Sequence, residues 1–236
     1  MSIVTKLRTK LKPDLKRHLL KFLNKNIASN IWKIPIGDEG RYLMDFTGLE
    51  EKVRSEYAHM CRGRRSITLR DICNLEEDEM LLYHTNKMID DIIKENEWDE
   101  SKLRRQPSPG RGHENWDSHL ISLVYETQKK VSHGIETHYD SNSLEDNWTV
   151  MRINYMVQKP EEGGTPQIDK TFLNNKKPGI KLKQIDINED EGYVMMPSKW
   201  AHGCTPVKGD TIRVLLSLLF YVEPHYFNEY IVPKYG

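Results

Sequence analysis

A mainly β fold with helices on its amino-terminal side, of the α+β class, is predicted by two observations. From residue 119 onward, short apolar and β-branched runs alternate with turns rich in Gly, Asn and Asp, which is typical of a β-sandwich or barrel. Before residue 100, apolar residues recur instead at the three- and four-residue spacing of a helix. We expect the 236 residues to form one domain, 1–236.

The helical predictions cover most of residues 1–100, which we expect to support a sheet. A first helix is predicted from Pro13, because proline suits the first helical turn and an apolar series follows it. Further helices are predicted at about 50–60 and from Glu77 to about Glu95, and a short strand at 31–36.

The β predictions cover residues 119–223. Each apolar run is short, and Gly-Gly, Asn-Glu-Asp-Glu-Gly and Lys-Gly-Asp turns lie between several of them. The predicted strands are 119–125, 134–139, 148–157, 181–187, 192–196 and 211–222.

A long connection links the two regions. Its central part, 104–111, is rich in Arg, Pro and Gly. Long loops without secondary structure are often functional, so this segment is either a lid that orders over bound substrate or a plain surface connection.

Composition bears on the class of partner. Lys and Arg together number 35, as do Asp and Glu, so the net charge is zero and strong binding to nucleic acid is not expected. No apolar run approaches the ~20 residues that cross a bilayer, so no membrane partner is expected. The three cysteines include no Cys-x-x-Cys pair, which favours reduced thiols and a cytoplasmic location.

The motif that carries chemistry joins residues that are far apart in the chain. His138 and Asp140 lie two positions apart on a predicted strand, so both can address one metal ion. His202 follows 62 residues after Asp140, and two imidazoles with one carboxylate make the facial triad that suits non-haem Fe(II). Arg213, 11 residues further on, heads an apolar strand, where a buried charge needs an anionic partner. His-x-Asp is weak by itself, whereas the combination is more informative.

Over residues 119–223 the chain resembles the 2-oxoglutarate- and Fe(II)-dependent oxygenases, especially those with a prolyl 4-hydroxylase-like core. The resemblance implies a double-stranded β-helix (jelly-roll, cupin-like) core buttressed by helices. The Gly-Gly-Thr-Pro turn is a slight departure from the family's pattern. The matching segments are His138-Tyr139-Asp140, Arg152-Ile153-Asn154-Tyr155, Glu161 to Thr165, Gly192-Tyr193-Val194, His202 to Val207, Gly209 and Arg213.

What the resemblance implies is a hydroxylase with a metal and a cosubstrate site. Fe(II), 2-oxoglutarate and O2 would together hydroxylate an unactivated C–H bond and release succinate and CO2. Related halogenases have a small residue where Asp140 stands, so hydroxylation is favoured over halogenation. The implied Fe(II) ligands are His138, Asp140 and His202, and the implied 2-oxoglutarate residues are Arg213, Tyr155 and Thr211. No further catalytic residue is implied.

Structural alternatives stay open for most of these residues. They are a polar surface pair for His138 and Asp140, a hydrogen-bonded loop histidine for His202, a pairing with Asp210 for Arg213, and core packing for Tyr155. Cys204 is expected to be a small buried thiol rather than a metal ligand.

The substrate is the least determined part of the prediction. A small molecule, an amino acid or derivative, is favoured, with Arg152, Asn154 and Trp148 as the candidate binding residues. A peptide, as for a prolyl-type hydroxylase, is the alternative and fits the cationic segment 104–111. Two other hypotheses stay open: a cupin-like metal-dependent enzyme that does not use 2-oxoglutarate, and a metal-free binding module.

Overall fold

The computed structural model describes residues 5–28, 64–68, 79–104, 119–124, 135–138, 148–169 and 182–232. The predicted strand at 31–36, the predicted helix at about 50–60 and the loop segment 105–111 lie outside these residues. The described helices are α1 (Pro13–Ala28), α2 (Glu79–Glu95) and α3 (Pro224–Tyr226), with a 3-10 turn at Glu100–Lys102 and a π-helical turn at Phe227–Ile231.

Short antiparallel strands make up most of the rest of the described chain. They are β1 (Thr5–Lys6), β2 (Arg64–Thr68), β3 (Leu103–Arg104), β4 (His119–Val124), β5 (Ile135–His138), β6 (Thr149–Gln158), β7 (Glu162–Gly163), β8 (Pro166–Asp169), β9 (Lys183–Gln184), β10 (Gly192–Met195), β11 (Ala201–Cys204), β12 (Val207–Lys208) and β13 (Arg213–Val222).

The two long helices form where the apolar spacing predicts them. α1 begins at Pro13, and α2 begins two residues after the predicted start and ends at Glu95. Asp14 in the first turn of α1 favours the helix, because a negative charge there interacts well with the helix dipole. None of the described helices is both long enough and apolar enough to cross a bilayer. The buried stripes include Leu15, Leu19, Phe22 and Leu23 of α1, and Leu81, Met88, Ile89 and Ile92 of α2.

Two sheets position the candidate site. The larger has the order β1-β10-β6-β13-β4-β2, with β3 also paired to β13. The smaller has the order β5-β11-β8-β9, and β12 pairs with β7 separately. All of these pairs are antiparallel. The predicted mainly β architecture with helical support is confirmed.

The larger sheet has two faces with different surroundings. We call the face that carries Tyr155 and Leu216 the outer face, and the face that carries Asn154 and Ser217 the inner face; the register pairs these residues directly. The helix layer covers the outer face, since the Tyr155 hydroxyl reaches the carbonyl of Thr9, just before α1, over 3.1 Å. The chain that leads into β8 of the smaller sheet contacts the inner face, because a Cβ on Gly164 would lie 2.8 Å from Cδ of Arg213.

Several strands differ from the sequence expectations. The region 1–100 supplies β1 and β2, the two edge strands of the larger sheet, although it was predicted to be mainly helical. β2 contains two arginines, and charged residues are common on strands that end a sheet. β11 was not predicted as a strand, and the strand predicted at 181–187 is limited to Lys183–Gln184.

Candidate active site

Histidine 202 lies at the centre of the smaller sheet, on β11 between β5 and β8. In the β11–β5 pair it is directly opposite His138, and in the β11–β8 pair it is opposite Ile168. Opposite residues of an antiparallel pair have Cα atoms only about 4.5–5.5 Å apart and belong to one face of the sheet. The fold therefore makes neighbours of two histidine positions that are far apart in sequence.

A hydrogen bond determines which ring nitrogen of His202 carries the proton. Nδ1 lies 3.1 Å from the Trp200 carbonyl oxygen, and a carbonyl can only accept, so Nδ1 donates. In the neutral ring, the lone pair is then on Nε2. A histidine binds a metal in this form, with its other ring nitrogen held by the protein. Trp200 is itself buried and packs edge-on against Phe227, with 5.6 Å between the ring centroids.

The strand register is irregular beside His202, a predicted metal ligand, and beside Arg213, a predicted 2-oxoglutarate residue. Between β11 and β5 it shifts after His202, and between β13 and β6 it shifts between Val214 and Leu215, next to Arg213. Such bulges bend a strand and re-aim its side chains, and they are over-represented next to active sites.

The third predicted metal ligand, Asp140, lies outside the described residues, two positions after β5 ends at His138. For His138, the structure describes the backbone only. Among the described residues, no three His, Cys, Asp or Glu side chains lie close enough together to hold a metal ion. The complete Fe(II) triad therefore stays a prediction, which the register of His138 with His202 supports.

Arg213, the first residue of β13, is 1% exposed. No ion pair joins it to the exposed Asp210 or to another carboxylate of the described residues. Its Nε and Nη1 are buried and have no hydrogen-bond partner within that part of the chain. Because a buried charge without a partner costs several kcal/mol, these donors fit an anionic ligand, and a carboxylate of 2-oxoglutarate has the required charge and acceptors.

A Gly-Gly turn packs against both the arginine and the strand end that follows His202. Gly163 and Gly164 have φ values of +76° and +62°, a region that glycine adopts readily. A Cβ on Gly163 would lie 1.7 Å from the Pro206 carbonyl oxygen, and a Cβ on Gly164 would lie 2.8 Å from Cδ of Arg213. The Gly164 N–H donates to the Pro206 carbonyl over 3.0 Å. The Gly-Gly motif is therefore required by close packing around the stem of Arg213.

Three polar side chains form a row across the inner face. Tyr193 of β10 is directly opposite Asn154 of β6, and Asn154 is directly opposite Ser217 of β13. The Ser217 hydroxyl donates to Asn154 Oδ1 over 2.5 Å, and Asn154 Nδ2 donates to the sulfur of Met195 over 3.3 Å.

Tyr193 was not among the predicted binding residues. Burial raises its pKa to about 12, although the nearby positive charge of Arg213 acts in the opposite direction. The phenol is therefore protonated at neutral pH and can donate a hydrogen bond. Cys204 is buried, as expected. The sequence signal for Tyr193 was its place in the Gly-Tyr-Val segment of the resemblance.

The structure does not bring the other two predicted cosubstrate residues to Arg213. Tyr155 lies on the outer face, where its hydroxyl donates to Thr9 and its ring contacts Gly192 so closely that a Cβ there would be 2.5 Å away. The Thr211 hydroxyl donates to a carboxylate oxygen of Glu161 over 3.0 Å. These contacts favour the core-packing alternative for Tyr155.

The three predicted substrate residues lie in different surroundings. Asn154 is 2% exposed, and its amide is engaged in the polar row. Arg152, two positions before it on β6 and on the same face, is half-buried. Trp148 precedes β6, and the Arg104 guanidinium lies 4.1 Å from the centre of its ring.

The inner face is closed at one end and more open at the other. Along β13, Arg213 and Ser217 are buried, whereas Leu219 and Tyr221 are half-buried. Along β6, exposure likewise rises from Asn154 to Arg152. A ligand bound at Arg213 would therefore lie at the closed end of the space between the sheets.

Comparison with known proteins bears on the fold. No protein-family model and no curated protein matches the chain. A solved prolyl hydroxylase from Trichoplax adhaerens, in complex with a peptide fragment of the hypoxia inducible factor oxygen degradation domain, matches with TM-score 0.51 and 12% identity, over 94% of this chain and 84% of that one. The viral collagen prolyl hydroxylase from Paramecium Bursaria Chlorella virus-1, in its 2-oxoglutarate complex, matches with TM-score 0.51 and 12% identity, over 94% and 97%. AviO1 from Streptomyces viridochromogenes Tue57 matches with TM-score 0.52 and 12% identity, over 92% and 87%.

The chain has the prolyl hydroxylase fold. The prediction of a double-stranded β-helix core buttressed by helices is thereby confirmed. At 12% identity the similarity concerns the fold, so the chemistry has to be argued from the residues of the site.

Proposed function

We propose that this chain is a 2-oxoglutarate-dependent, non-haem Fe(II) oxygenase that hydroxylates a C–H bond. The observation that carries the proposal is the buried guanidinium of Arg213, whose Nε and Nη1 have no partner among the described residues. The far carboxylate of 2-oxoglutarate would supply the missing anion. The viral relative by fold was solved as a 2-oxoglutarate complex, which agrees with this ligand.

His138, Asp140 and His202 would hold Fe(II). The direct pairing of the two histidine positions across β5 and β11 supports the two imidazoles. The bond from His202 Nδ1 to the Trp200 carbonyl supports them further, because metal-binding histidines commonly donate from their other ring nitrogen to a carbonyl. When bound, Fe(II), 2-oxoglutarate and O2 would supply the oxidation that places oxygen in a C–H bond, with release of succinate and CO2.

The protein's own contribution to this reaction is binding and exclusion of water. Arg213 would neutralise the far carboxylate at the closed end of the inner face, where charge interactions are strong because little water is present. Leu215 and Met156, which lie opposite each other on β13 and β6, are 5% and 1% exposed and keep this end apolar. Substrate would enter from the open end, near Arg152.

Within this proposal, a small molecule such as an amino acid or derivative is the favoured substrate. Arg152, a half-buried residue at the open end, suits a substrate with a carboxylate. A peptide is the second candidate, since one structure with this fold is a prolyl hydroxylase with a bound peptide. A cytoplasmic location is also part of the proposal and rests on the cysteine pattern alone.

An anaerobic titration tests the metal and cosubstrate together. Fe(II) followed by 2-oxoglutarate should produce a weak visible charge-transfer band, and His202→Ala should abolish it. His225→Ala is the matched control, because this histidine is exposed on α3 and pairs with Glu229. Iron binding without the band or any succinate would favour the cupin-like alternative, and no metal binding would favour the metal-free module.

Substrate class is tested by succinate formation over two panels. One panel contains free amino acids, and the other contains short peptides that include proline. Stimulation by a free amino acid, with a product 16 Da heavier in the mass spectrum, is the expected result. Stimulation by peptides alone would replace the small-molecule proposal with the peptide one.

A further inference from the structure

We infer that Arg104, held on the ring face of Trp148, binds a second anionic group of the substrate, so that the substrate is an acidic amino acid or a derivative of one. The inference rests on the proposed function, in which Arg152 binds the carboxylate that every amino acid carries. It goes beyond that function by assigning a residue that selects the side chain of the substrate.

Strand register places Arg104 on the inner face, at its open end. Arg104 of β3 is directly opposite Tyr221 of β13, and Tyr221 is directly opposite Val150 of β6. Directly opposite residues carry their side chains on one face of a sheet. Val150 lies two positions before Arg152, and side chains alternate between the faces along a strand, so Arg104 shares the inner face with Arg152.

A cation–π contact fixes the position of the Arg104 guanidinium. Its central carbon lies 4.1 Å from the centre of the Trp148 ring, and Trp148 directly precedes β6. Because β13 lies between β3 and β6, this contact joins side chains from two strands that are not neighbours. A guanidinium that stacks on an aromatic ring still has N–H donors in its own plane. The donors of Arg104 are therefore held at the open end before any ligand binds, which lowers the cost of binding.

The charge of Arg104 has no acidic partner in the part of the chain that the structure describes. The residue is exposed, and no ion pair joins it to a carboxylate of that part. Lys102, two positions earlier, differs, because its ammonium lies 3.2 Å from a carboxylate oxygen of Glu223. Arg104 is therefore a cation that an anionic ligand can reach, and its planar group suits a carboxylate.

The positions of the two arginines specify the class of substrate. With the amino-acid carboxylate at Arg152, the group that reaches Arg104 belongs to the rest of the substrate. Trp148 lies four positions before Arg152, which corresponds to about 13 Å along an extended strand. From these positions two long arginine side chains can converge on the two carboxylates of one small molecule. Aspartate and glutamate have this second carboxylate, and a hydrogen bond to a charged group should favour them about 10- to 100-fold over asparagine and glutamine.

The experiment compares matched acidic and neutral amino acids, glutamate with glutamine and aspartate with asparagine. Their dissociation constants are measured anaerobically for protein loaded with Fe(II) and 2-oxoglutarate, and succinate formation is measured in air. In at least one pair, the acidic member should bind about 10- to 100-fold more tightly than its amide and stimulate more succinate. The charge-transfer band serves as a check, because an acidic amino acid that only displaced 2-oxoglutarate would reduce it.

Variants of the stacked pair should reduce this preference. Arg104→Gln should bind the acidic and the neutral amino acid with nearly equal affinity, whereas Arg104→Lys should be intermediate, because lysine keeps the charge but not the planar group. Trp148→Leu should have a smaller effect, since it removes the ring that holds the guanidinium and leaves the charge. Lys102→Gln is the matched control, because it removes the same charge two positions away, and its preference should equal that of the wild type. Melting temperatures identify any variant that does not fold, and the conservative Arg104→Lys then decides.

The outcomes separate this inference from the proposed function. Wild-type protein that binds no 2-oxoglutarate contradicts both. Equal use of acidic and neutral amino acids overturns only the inference, and so does an unchanged preference in Arg104→Gln. An equal loss of preference in Lys102→Gln would also overturn it, because it would indicate general charge attraction rather than a contact. A preference for acidic over neutral peptides that Arg104→Gln abolishes would support the role of Arg104 and would replace only the small-molecule substrate.

Discussion

The two faces of the larger sheet are built from the same strands. They differ in whether their buried polar groups have hydrogen-bond partners among the described residues. On the outer face, Leu216 and Tyr155 have no exposed surface, and the Tyr155 hydroxyl is bonded to a backbone carbonyl under the helix layer. On the inner face, Arg213 keeps two buried donors without a partner among the described residues. Proteins break local rules of this kind mainly at functional sites. We therefore expect the outer face to serve stability, and the inner face, in the proposed function, to give up stability for binding.

The largest expected effect comes from removing the inner-face charge. Arg213→Met should weaken 2-oxoglutarate binding by at least about 30-fold, because losing one partner of a buried charge pair costs roughly 2–5 kcal/mol. The same change should leave the melting temperature of the ligand-free protein unchanged or higher, since it removes an unpaired buried charge. Anaerobic titration and thermal melting measure the two effects.

A conservative variant refines that test. Arg213→Lys keeps the positive charge but loses the planar group that binds a carboxylate through two bonds, so an intermediate affinity is expected. A clear fall in the melting temperature of Arg213→Met would contradict the comparison, because it would mean that the arginine stabilises the protein without a ligand.

The opposite pattern is expected on the outer face of the same strand. Leu216→Ala should lower the free energy of unfolding by about 2–5 kcal/mol, because the side chain has no exposed surface and its loss leaves a cavity. Urea unfolding measures this effect. The folded variant should bind 2-oxoglutarate as the wild type does, and weakened binding would show that the two faces are coupled.

The sequence predicts the positions of the helices and strands better than it predicts which face of a sheet each side chain occupies. α1 begins at the predicted Pro13, and the long strands β6 and β13 lie within a few residues of their predicted bounds. Apolar spacing is sufficient for this, since periodicity depends only on local sequence. The pairing of His138 with His202 could be expected only from the resemblance, because strand register is a property of the fold.

Tyr155 and Tyr193 show which part of the site the sequence alone does not predict, namely the face of the sheet on which each side chain lies. Tyr155 and Tyr193 both lie in strands that are buried on both sides. Arg152 and Asn154 alternate with apolar residues on β6, whereas the Gly-Tyr-Val-Met sequence of β10 has no such alternation to mark the inner face. A shift of one residue in register moves every side chain to the other face. β11 was missed for a different reason: Ala-His-Gly-Cys has little intrinsic β preference, and two neighbouring strands hold it in place.

A smaller effect tests the assignment of Tyr155 to the outer face. Tyr155→Phe removes the hydrogen bond to the Thr9 carbonyl, which should lower the free energy of unfolding by about 1 kcal/mol. The affinity for 2-oxoglutarate should not change. A tenfold loss of affinity in Tyr155→Phe would instead return this residue to the cosubstrate site that the resemblance implied.

The smallest effect concerns an ion pair that ties the start of α1 to the end of α2, on the helix layer of the outer face. The hydrogen bond from Lys12, 2.8 Å long, lowers the pKa of Glu95 from 4.5. A carboxyl whose pKa is lowered on folding stabilises the folded state at pH values above its pKa in the unfolded state. This contribution is lost as the pH falls through its pKa in the folded state. Because both side chains are 42% exposed, the contribution is only about 0.5 kcal/mol. Glu95→Gln should therefore melt slightly below the wild type at pH 7, and the difference should shrink toward pH 3. A difference in melting temperature that grows in acid would contradict the ion pair. Binding of 2-oxoglutarate at pH 7 should be the same in both proteins, because the pair lies on the outer side.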